Sequence, residues 1–332
     1  MKRTESGSRR ARRRTPTGQT RQSADQPGPA RSASRQSLAQ VPPTVLSGNI
    51  RCVESAFYEP VGQDSYVATA ATVGPWSRDA QHGGPPSALA ARALERHEPD
   101  DRRRLARVAI DILRPVPVGK VSISTRTVRP GRRITLAEAV MESDGQEVLQ
   151  ARGWWIERPD GAVPEISDGG PPPPLPAEEG WAPPPIFRRE QPGYLASIEW
   201  RFMPTDFAEV DTDGRAAVPR DEPVRGRIAQ IRAAWARPRI PLLPDDEPSP
   251  MSRALLVGDS GSGVGTALPA TNFIFINVDL TLTLARDPVG EWLLLEAATS
   301  VGADGTGLAL TRLSDQHGAC GRAMQTLLVA PR

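Results

Sequence analysis

Two polar residues interrupt otherwise apolar stretches of the sequence, and they are the first candidates for chemistry. Asp259 ends the apolar run 254–258, and a carboxylate on a largely buried helix needs a partner or a chemical task. Gln325 lies within AMQTLL, where an apolar strand would bury its amide and require a hydrogen-bond partner. A carboxylate and an amide in such surroundings suit general acid–base chemistry.

A glycine pair precedes the apolar segment 84–96. Gly83 and Gly84 would let the backbone approach a ligand closely, and the start of a helix attracts negative charge. The next two residues are prolines without amide hydrogens, so the candidate donors are the amides of Gly83, Gly84 and Ser87. The glycines would equally permit tight packing of the helix, and both interpretations stay open at this point.

A second motif points to a different chemistry. Residues 257–263 contain GDSGSG, which is close to the GDSGG of trypsin-like serine proteases, and His82, Asp111 and Ser260 follow in the order His, Asp, Ser. However, His82 stands in an AQHG context ahead of a predicted helix. Ser260 follows a predicted helix rather than a β-barrel strand. We therefore expect no serine-protease site.

Other common types of site lack their residues in this sequence. The three histidines (His82, His97, His317) and two cysteines (Cys52, Cys320) show no zinc-site spacing and no disulfide framework. The sequence contains neither a P-loop nor a G-x-G-x-x-G motif after a strand, and no stretch approaches the roughly 18 apolar residues of a membrane span. We expect no metal, no cofactor and no membrane span.

The formal net charge of +2 hides an uneven distribution. Residues 1–48 contain ten basic and two acidic residues and almost no large apolar side chains, so we predict a disordered basic tail. The rest of the chain is mildly acidic, which gives no support for specific nucleic-acid binding. Because the sequence shows neither a secretory signal nor a disulfide framework, the expected compartment is the cytoplasm.

A proline-rich stretch divides the chain into two halves. We predict that residues 159–195 form an extended, exposed linker between an N-terminal domain, 49–158, and a C-terminal domain, 196–332. Landmarks recur in the same order at offsets of 171 or 172 residues, which indicates a duplicated unit. The paired landmarks are Arg114 and Arg286, Gly119 and Gly290, and Asp144 and Asp315.

The pattern of each unit predicts one helix followed by about four strands. The segment 84–96 has only a narrow polar side, so this helix is expected to be buried. VSISTRTV (121–128) alternates apolar and polar residues, which predicts a half-buried antiparallel strand, and Asp144-Gly145 predicts a hairpin turn. We predict an α+β fold: a tandem (double) hot dog with two long buried helices wrapped by antiparallel sheets.

Several stretches of the chain carry a family resemblance. They are FYEPVG, GPWSRDAQHGGPPSALAARALE, LRPVPVG, VRPGRR, SPMSRALLVGDSGSG, INVDLTLTLARDPVGEW and GRAMQTLLV. In this order, and with the internal repeat, the chain resembles the acyl-CoA thioesterase II-type, thioesterase-like double hot-dog family. The resemblance covers about 53–158 and 196–330 and implies a hydrolase of fatty acid metabolism.

The resemblance also implies a set of site residues. In that family an Asp at this helix, a Thr on the next strand and a Gln on the last strand hold the attacking water. By motif these positions are Asp259, Asn277 (in place of the Thr) and Gln325. The implied reaction is hydrolysis of acyl-CoA thioesters to free acid and CoA, with Asp259 as general base. An amide at Gly83 or Gly84 would stabilise the oxyanion.

Two further residues are assigned to substrate binding. His82 is predicted to contact the phosphates or the pantetheine arm, or else to cap the turn. Asp279, two residues beyond Asn277, would face the same side of its strand and support the site, or form a structural ion pair. The expected partner is acyl-CoA, and a homo-oligomer formed through sheet edges or faces is a further expectation.

Two alternatives to the hydrolase stay open. Because Asn277 replaces the Thr, the main alternative is a non-catalytic protein that binds acyl thioesters. A hot-dog hydratase would need an Asp and a His in one site, and the second half has no His near its helix. The decisive observation is whether Asp259, Asn277 and Gln325 converge in the fold.

Overall fold

The structure is a computed structural model. It describes residues 54–98, 100–167, 169–177, 193–203, 229–266 and 268–332. All of these residues belong to one compact unit, Cys52–Arg332. The predicted basic tail, 1–48, lies outside the described residues, as does part of the linker, so the domain boundaries stay predictions.

The strands of the described residues form one antiparallel sheet. The first half provides β1 (Tyr58–Pro60), β2 (Ser65–Ala68), β3 (Arg103–Ile112), β4 (Lys120–Arg129), β5 (Ile134–Ser143) and β6 (Gln146–Glu157). The second half provides β7 (Ile198–Phe202), β8 (Arg232–Pro238), β9 (Phe273–Asn277), β10 (Asp279–Leu284), β11 (Leu293–Val301), β12 (Thr306–Asp315) and β13 (Gly318–Pro331). The order is β1-β2-β4-β5-β6-β3-β10-β13-β12-β11-β8-β7, with β9 also paired to β13. The pair β3–β10 therefore joins the two halves into one sheet.

The sheet follows the period-two pattern of the sequence. In β4, Val121 and Ile123 are buried while Lys120 and Ser124 are exposed, which confirms the strand predicted over 121–128. The turn between β5 and β6 places Asp144 and Gly145 at positive φ, 50° and 72°. This backbone matches the twist of a two-residue hairpin and confirms the predicted turn.

The described residues also form helices of unequal length. They are α1 (Gly84–His97), α2 (Tyr194–Ser197), α3 (Pro250–Gly258) and α4 (Gly261–Val264). The prediction of two long helices is wrong, because α1 has 14 residues but α3 has only nine and stops before Asp259. At Gly261 a Cβ would overlap the Thr311 hydroxyl, and at Gly265 it would lie 2.7 Å from the Ala297 carbonyl carbon. Only glycines therefore allow this close approach of α4 to the sheet.

The two main helices pack against each other in opposite directions. Gly84, at the start of α1, lies so close to the carbonyl of Leu256, near the end of α3, that a Cβ would overlap its oxygen. Further along, Ser252 Oγ donates to Ala88 O at 3.2 Å. Helix α1 is buried on nearly all sides, as its composition predicts. None of the helices in the described parts of the chain has the length and hydropathy needed to cross a membrane.

Of the predicted linker, 159–167 and 169–177 contain no helix or strand and are mostly exposed. The prediction of an extended, exposed segment is wrong at its end, where Tyr194 and Leu195 begin α2 and Tyr194 is fully buried. The stretch 169–177 contacts the second half, where Pro176 O accepts a hydrogen bond from Arg201 Nη1 at 2.8 Å. A proline-rich segment without backbone pairing fits this position on the surface.

Candidate functional site

Three of the predicted site residues meet at one carboxylate. Asp259 follows α3, Asn277 ends β9 and Gln325 lies in β13. Asn277 Nδ2 and Gln325 Nε2 both donate to Asp259 Oδ1, at 2.8 and 3.1 Å. Because Asp259 is only 4% exposed and Gln325 only 1%, these hydrogen bonds replace the hydration of the carboxylate.

Gln325 also holds the main chain at the helix break. Its Nε2 donates to Asp259 O at 2.9 Å, and its Oε1 accepts from Ser262 N at 3.0 Å. One amide side chain therefore binds the backbone at both ends of the turn between α3 and α4. This contact fixes the direction in which the Asp259 carboxylate points.

The other oxygen of Asp259 faces the first half of the molecule. His82 Nδ1 lies 3.1 Å from Asp259 Oδ2, and the Gly84 amide lies 3.1 Å from the same ring nitrogen. That nitrogen has one in-plane position, so it donates to Asp259 when protonated and accepts from Gly84 when not. A Cβ on Gly83 would lie 2.7 Å from Asp259 Oδ2, so only glycine leaves room for the carboxylate.

Tyr194 covers the outer face of the imidazole. Its ring stacks on His82 with a centroid distance of 3.7 Å and an interplanar angle of 7°. The Tyr194 hydroxyl donates to Leu256 O at 2.8 Å and lies 2.9 Å from Ser260 Oγ. Tyr194 therefore ties the imidazole to the last turn of α3.

Burial sets the charge state of these two rings. Burial lowers the pKa of His82 from its ordinary value, and the negative charge of Asp259 only partly opposes this effect. The imidazole is consequently neutral at neutral pH. Burial also raises the pKa of Tyr194 far above its ordinary value, so Tyr194 remains a hydroxyl donor.

A small cavity opens beside the carboxylate. The polar part of its wall includes Asp259, His82, Ser260, Ser262 and Gly263. The apolar part consists of Pro75, Trp76, Leu195 and Phe275. A substrate with a reacting polar centre and an apolar substituent would match such a mixed lining.

The structure places the remaining predicted residues in different roles. The Gly84 amide is engaged by His82, whereas the described residues offer no hydrogen-bond partner to the Gly83 amide. The Asp279 side chain accepts from Thr326 N at 2.5 Å, so it braces β13 rather than the cavity.

The protease-like residues do not form a triad. Ser260 Oγ contacts the Tyr194 hydroxyl, and the His82 ring contacts Asp259. Asp111 is exposed on β3, where it pairs with Asp279 of β10. The His, Asp and Ser of the motif are therefore engaged with different partners.

Among the residues that shape the site but were not predicted from the sequence are Tyr194, Trp76 and Ser262. Ser262 contributes through its backbone amide, for which no side-chain pattern exists. Tyr194 lies at the end of the predicted linker, in sequence that gives no periodic signal. Trp76 lies within GPWSRD, one of the stretches that carry the family resemblance, and this was the one available clue.

A second buried carboxylate lies at the other end of the helix pair. Glu95, near the end of α1, lies 3.5 Å from Ser252 Oγ at the start of α3. Burial raises its pKa to about 7, against the lowering effect of hydrogen bonds from Ser249 and Ser252. An ion pair between Arg92 and Asp246 lies at the same end of the helices.

Two family models match the chain. The model of the acyl-CoA thioesterase N-terminal domain matches residues 72–156, and that of the acyl-CoA thioesterase C-terminal domain matches residues 168–329. Together they cover most of the chain. No curated protein matches the chain in sequence.

Solved structures of similar fold extend over most of the chain. A thioesterase II candidate from Thermobifida fusca has a TM-score of 0.60 and 19% identity, covering 83% of this chain and 96% of its own. An acyl-CoA thioesterase II from Mycobacterium marinum has a TM-score of 0.56 and 16% identity, with coverages of 83% and 96%. A hot-dog protein of unknown function from Alicyclobacillus acidocaldarius has a TM-score of 0.57 and 16% identity, with coverages of 82% and 95%. At these identities the likeness establishes the hot-dog fold.

Proposed function

Since the chain belongs to the acyl-CoA thioesterase family, we propose that it hydrolyses acyl-CoA thioesters with a water activated by Asp259. The observation that carries this proposal is the convergence of Asn277 and Gln325 on Asp259 Oδ1. The Asn in place of the expected Thr still reaches the carboxylate, so the substitution preserves the connection between β9 and the site.

The hydrogen bonds around Asp259 leave space for one water. A carboxylate offers about four acceptor positions. Asn277 and Gln325 occupy both positions on Oδ1, and His82 faces one on Oδ2. One acceptor position on Oδ2 remains. Because Asp259 lines the cavity, this position would accept a hydrogen bond from the attacking water.

The reaction then needs two proton transfers and one leaving group. Asp259 takes a proton from the water while the water oxygen attacks the thioester carbonyl carbon. The resulting tetrahedral oxyanion collapses, the carbon–sulfur bond breaks, and the proton on Asp259 passes to the departing thiolate of CoA.

Gly83 is the proposed oxyanion donor. Of the three amides considered from sequence, that of Gly84 donates to His82 and that of Ser87 donates to Gly83 O at 3.2 Å. The Gly83 amide has no partner among the described residues and stands at the start of α1. A free amide at a helix start suits a developing negative charge.

Thiol release from acyl-CoAs of increasing chain length tests this function. We expect the wild type to release CoA and Asp259→Asn to lose about 10²–10⁴-fold in kcat, since the amide cannot take the proton. Asp101→Asn, at an exposed turn, is the matched control and should keep the wild-type rate. Release that persists in Asp259→Asn would contradict the mechanism. Binding of acyl-CoA without any release by the wild type would favour a non-catalytic binding protein.

One specific contact favours a second candidate, the hydration of 2-enoyl thioesters. In the sequence, the hydratase alternative lacks a His near the helix of the second half. The fold supplies His82 from the first half, 3.1 Å from Asp259. Hydration of a double bond requires a base that activates water and a second group that transfers a proton. Loss of the enoyl absorbance of crotonyl-CoA without thiol release would identify this reaction.

A further inference from the structure

The walls of the cavity predict how an acyl thioester lies in it. The thioester carbonyl must be next to Asp259 on the polar wall for the proposed water to reach it. The acyl group is then directed to the apolar wall, where Trp76 and Phe275 are the largest side chains. The size and stiffness of that wall therefore set the length of acyl group that the site accepts.

Trp76 is held firmly in place. Its ring meets Phe275 edge to face, with a centroid distance of 4.9 Å and an interplanar angle of 82°. Arg332 lies over the Trp76 ring with its guanidinium carbon 5.4 Å from the centroid. Trp76 also packs on the small core cluster that contains Phe275 and Leu327. An aromatic ring with neighbours on its edge and face cannot swing aside without losing these contacts.

The loop that carries Trp76 is closed by backbone hydrogen bonds. Gly74 N donates to Ala80 O at 2.9 Å, and Val73 pairs with Gln81 in an antiparallel bridge. These bonds tie both ends of the loop to the chain that leads into α1. Neither the side chain nor its loop is therefore arranged to retreat when a long substrate enters.

The space inside the cavity is small. The cavity has a volume of about 30 Å³. A single water needs a cavity of at least about 10–15 Å³, so this cavity holds about two waters or a group of similar size. Pockets that enclose long apolar ligands have several hundred Å³.

We propose that Trp76 and Phe275 close the acyl pocket and restrict the enzyme to thioesters of short acyl groups. This inference rests on the proposed hydrolysis in the same site, because it takes the Asp259 carboxylate as the place of the carbonyl group. Trp76 and Phe275 act here as specificity-determining residues rather than catalytic ones.

The chain-length profile of kcat/KM tests the proposal. Acetyl-, butyryl-, octanoyl- and palmitoyl-CoA are compared for the wild type, Trp76→Ala and Trp76→Leu. We expect the wild type to use octanoyl-CoA at least 10-fold less efficiently than butyryl-CoA. Both variants should raise the octanoyl-to-butyryl ratio at least 10-fold, and Trp76→Leu keeps the test valid if Trp76→Ala fails to fold.

Trp154→Ala is the matched control, since Trp154 lies on β6 outside the cavity lining. Its octanoyl-to-butyryl ratio should equal that of the wild type. A wild-type preference for octanoyl- or palmitoyl-CoA would overturn the proposal. An unchanged ratio in a folded Trp76→Leu protein would also overturn it.

Binding separates this proposal from the proposed hydrolysis. Thioether analogues of butyryl- and octanoyl-CoA resist hydrolysis, and calorimetry gives their Kd values without any turnover. Tighter binding of the butyryl analogue by the wild type, reversed in Trp76→Leu, supports the short pocket even if no thiol is released. Tighter binding of the octanoyl analogue by the wild type contradicts it, whether or not the protein hydrolyses thioesters.

Discussion

The two ends of the α1–α3 helix pair carry buried carboxylates in similar positions but different surroundings. At one end, Asp259 follows α3 and meets the glycines that begin α1. At the other end, Glu95 near the end of α1 meets Ser249 and Ser252 at the start of α3. Antiparallel packing of the two helices produces both of these contacts. A buried carboxylate alone therefore does not make a site.

The neighbours of each carboxylate account for the difference. Asp259 receives hydrogen bonds from Asn277 and Gln325 on the sheet and borders a cavity. Glu95 is satisfied by serine hydroxyls from the facing helix, beside the ion pair of Arg92. The break after α3 lets the Asp259 carboxylate face the sheet, whereas α1 continues past Glu95. The comparison indicates that the glycines and the helix break create the site.

The largest effect is expected at the glycine end. Gly84→Ala would place a methyl group on the Leu256 carbonyl oxygen, a backbone atom that cannot move without parting the helices. We expect the free energy of unfolding to fall by roughly 3 kcal/mol or more, measured by urea denaturation. Gly119→Ala is the control, because its Cβ would have nothing within 4 Å. Equal stability of the two variants would show that the close approach of the helices is not needed.

Glu95→Gln examines the other end of the pair. Folded Glu95 holds its proton up to a pKa of about 7, whereas the unfolded side chain loses it near 4.5. This contribution to the free energy of unfolding is thus fully present below pH 4.5 and is lost as the pH rises to about 7, by roughly 3 kcal/mol. Glu95→Gln should remove this slope from the pH dependence of unfolding and leave thiol release nearly unchanged. A slope that persists in the variant would mean that Glu95 ionises normally.

Tyr194→Phe should have the smallest effect. The variant keeps the ring stacked on His82 but loses the hydrogen bonds to Leu256 O and Ser260 Oγ. A lost buried hydrogen bond costs about 1–3 kcal/mol in unfolding free energy, and we expect a value near the lower end. Thermal denaturation measures this loss, with kcat expected to stay within about 10-fold of wild type. A loss of kcat as large as that of Asp259→Asn would instead place the hydroxyl in the chemistry.

Much of this arrangement could be predicted from local sequence. Alternation along β4 and the Asp144-Gly145 turn gave correct elements because both depend on neighbouring residues. Gln325 was recognisable as a polar residue inside an apolar strand, because a buried amide side chain is rarely left without a hydrogen-bond partner.

Other features depended on contacts between distant segments. Glu95 looks like a residue on the narrow polar side of α1, and only the approach of α3 buries it. The contact of His82 with Asp259 joins residues from different halves. The shortness of α3 depends on how closely α4 approaches Thr311, which a helix-like sequence does not reveal.

The continuous sheet across β3 and β10 has a consequence for symmetry. Two identical copies of a hot-dog unit, related by a twofold axis, would have to carry the same residues at both ends of their helix pair. A single chain that contains both copies is free of this restriction. One end could then acquire glycines and a broken helix for reactivity while the other kept serines and an ion pair. A symmetric dimer of identical units could not acquire asymmetry of this kind.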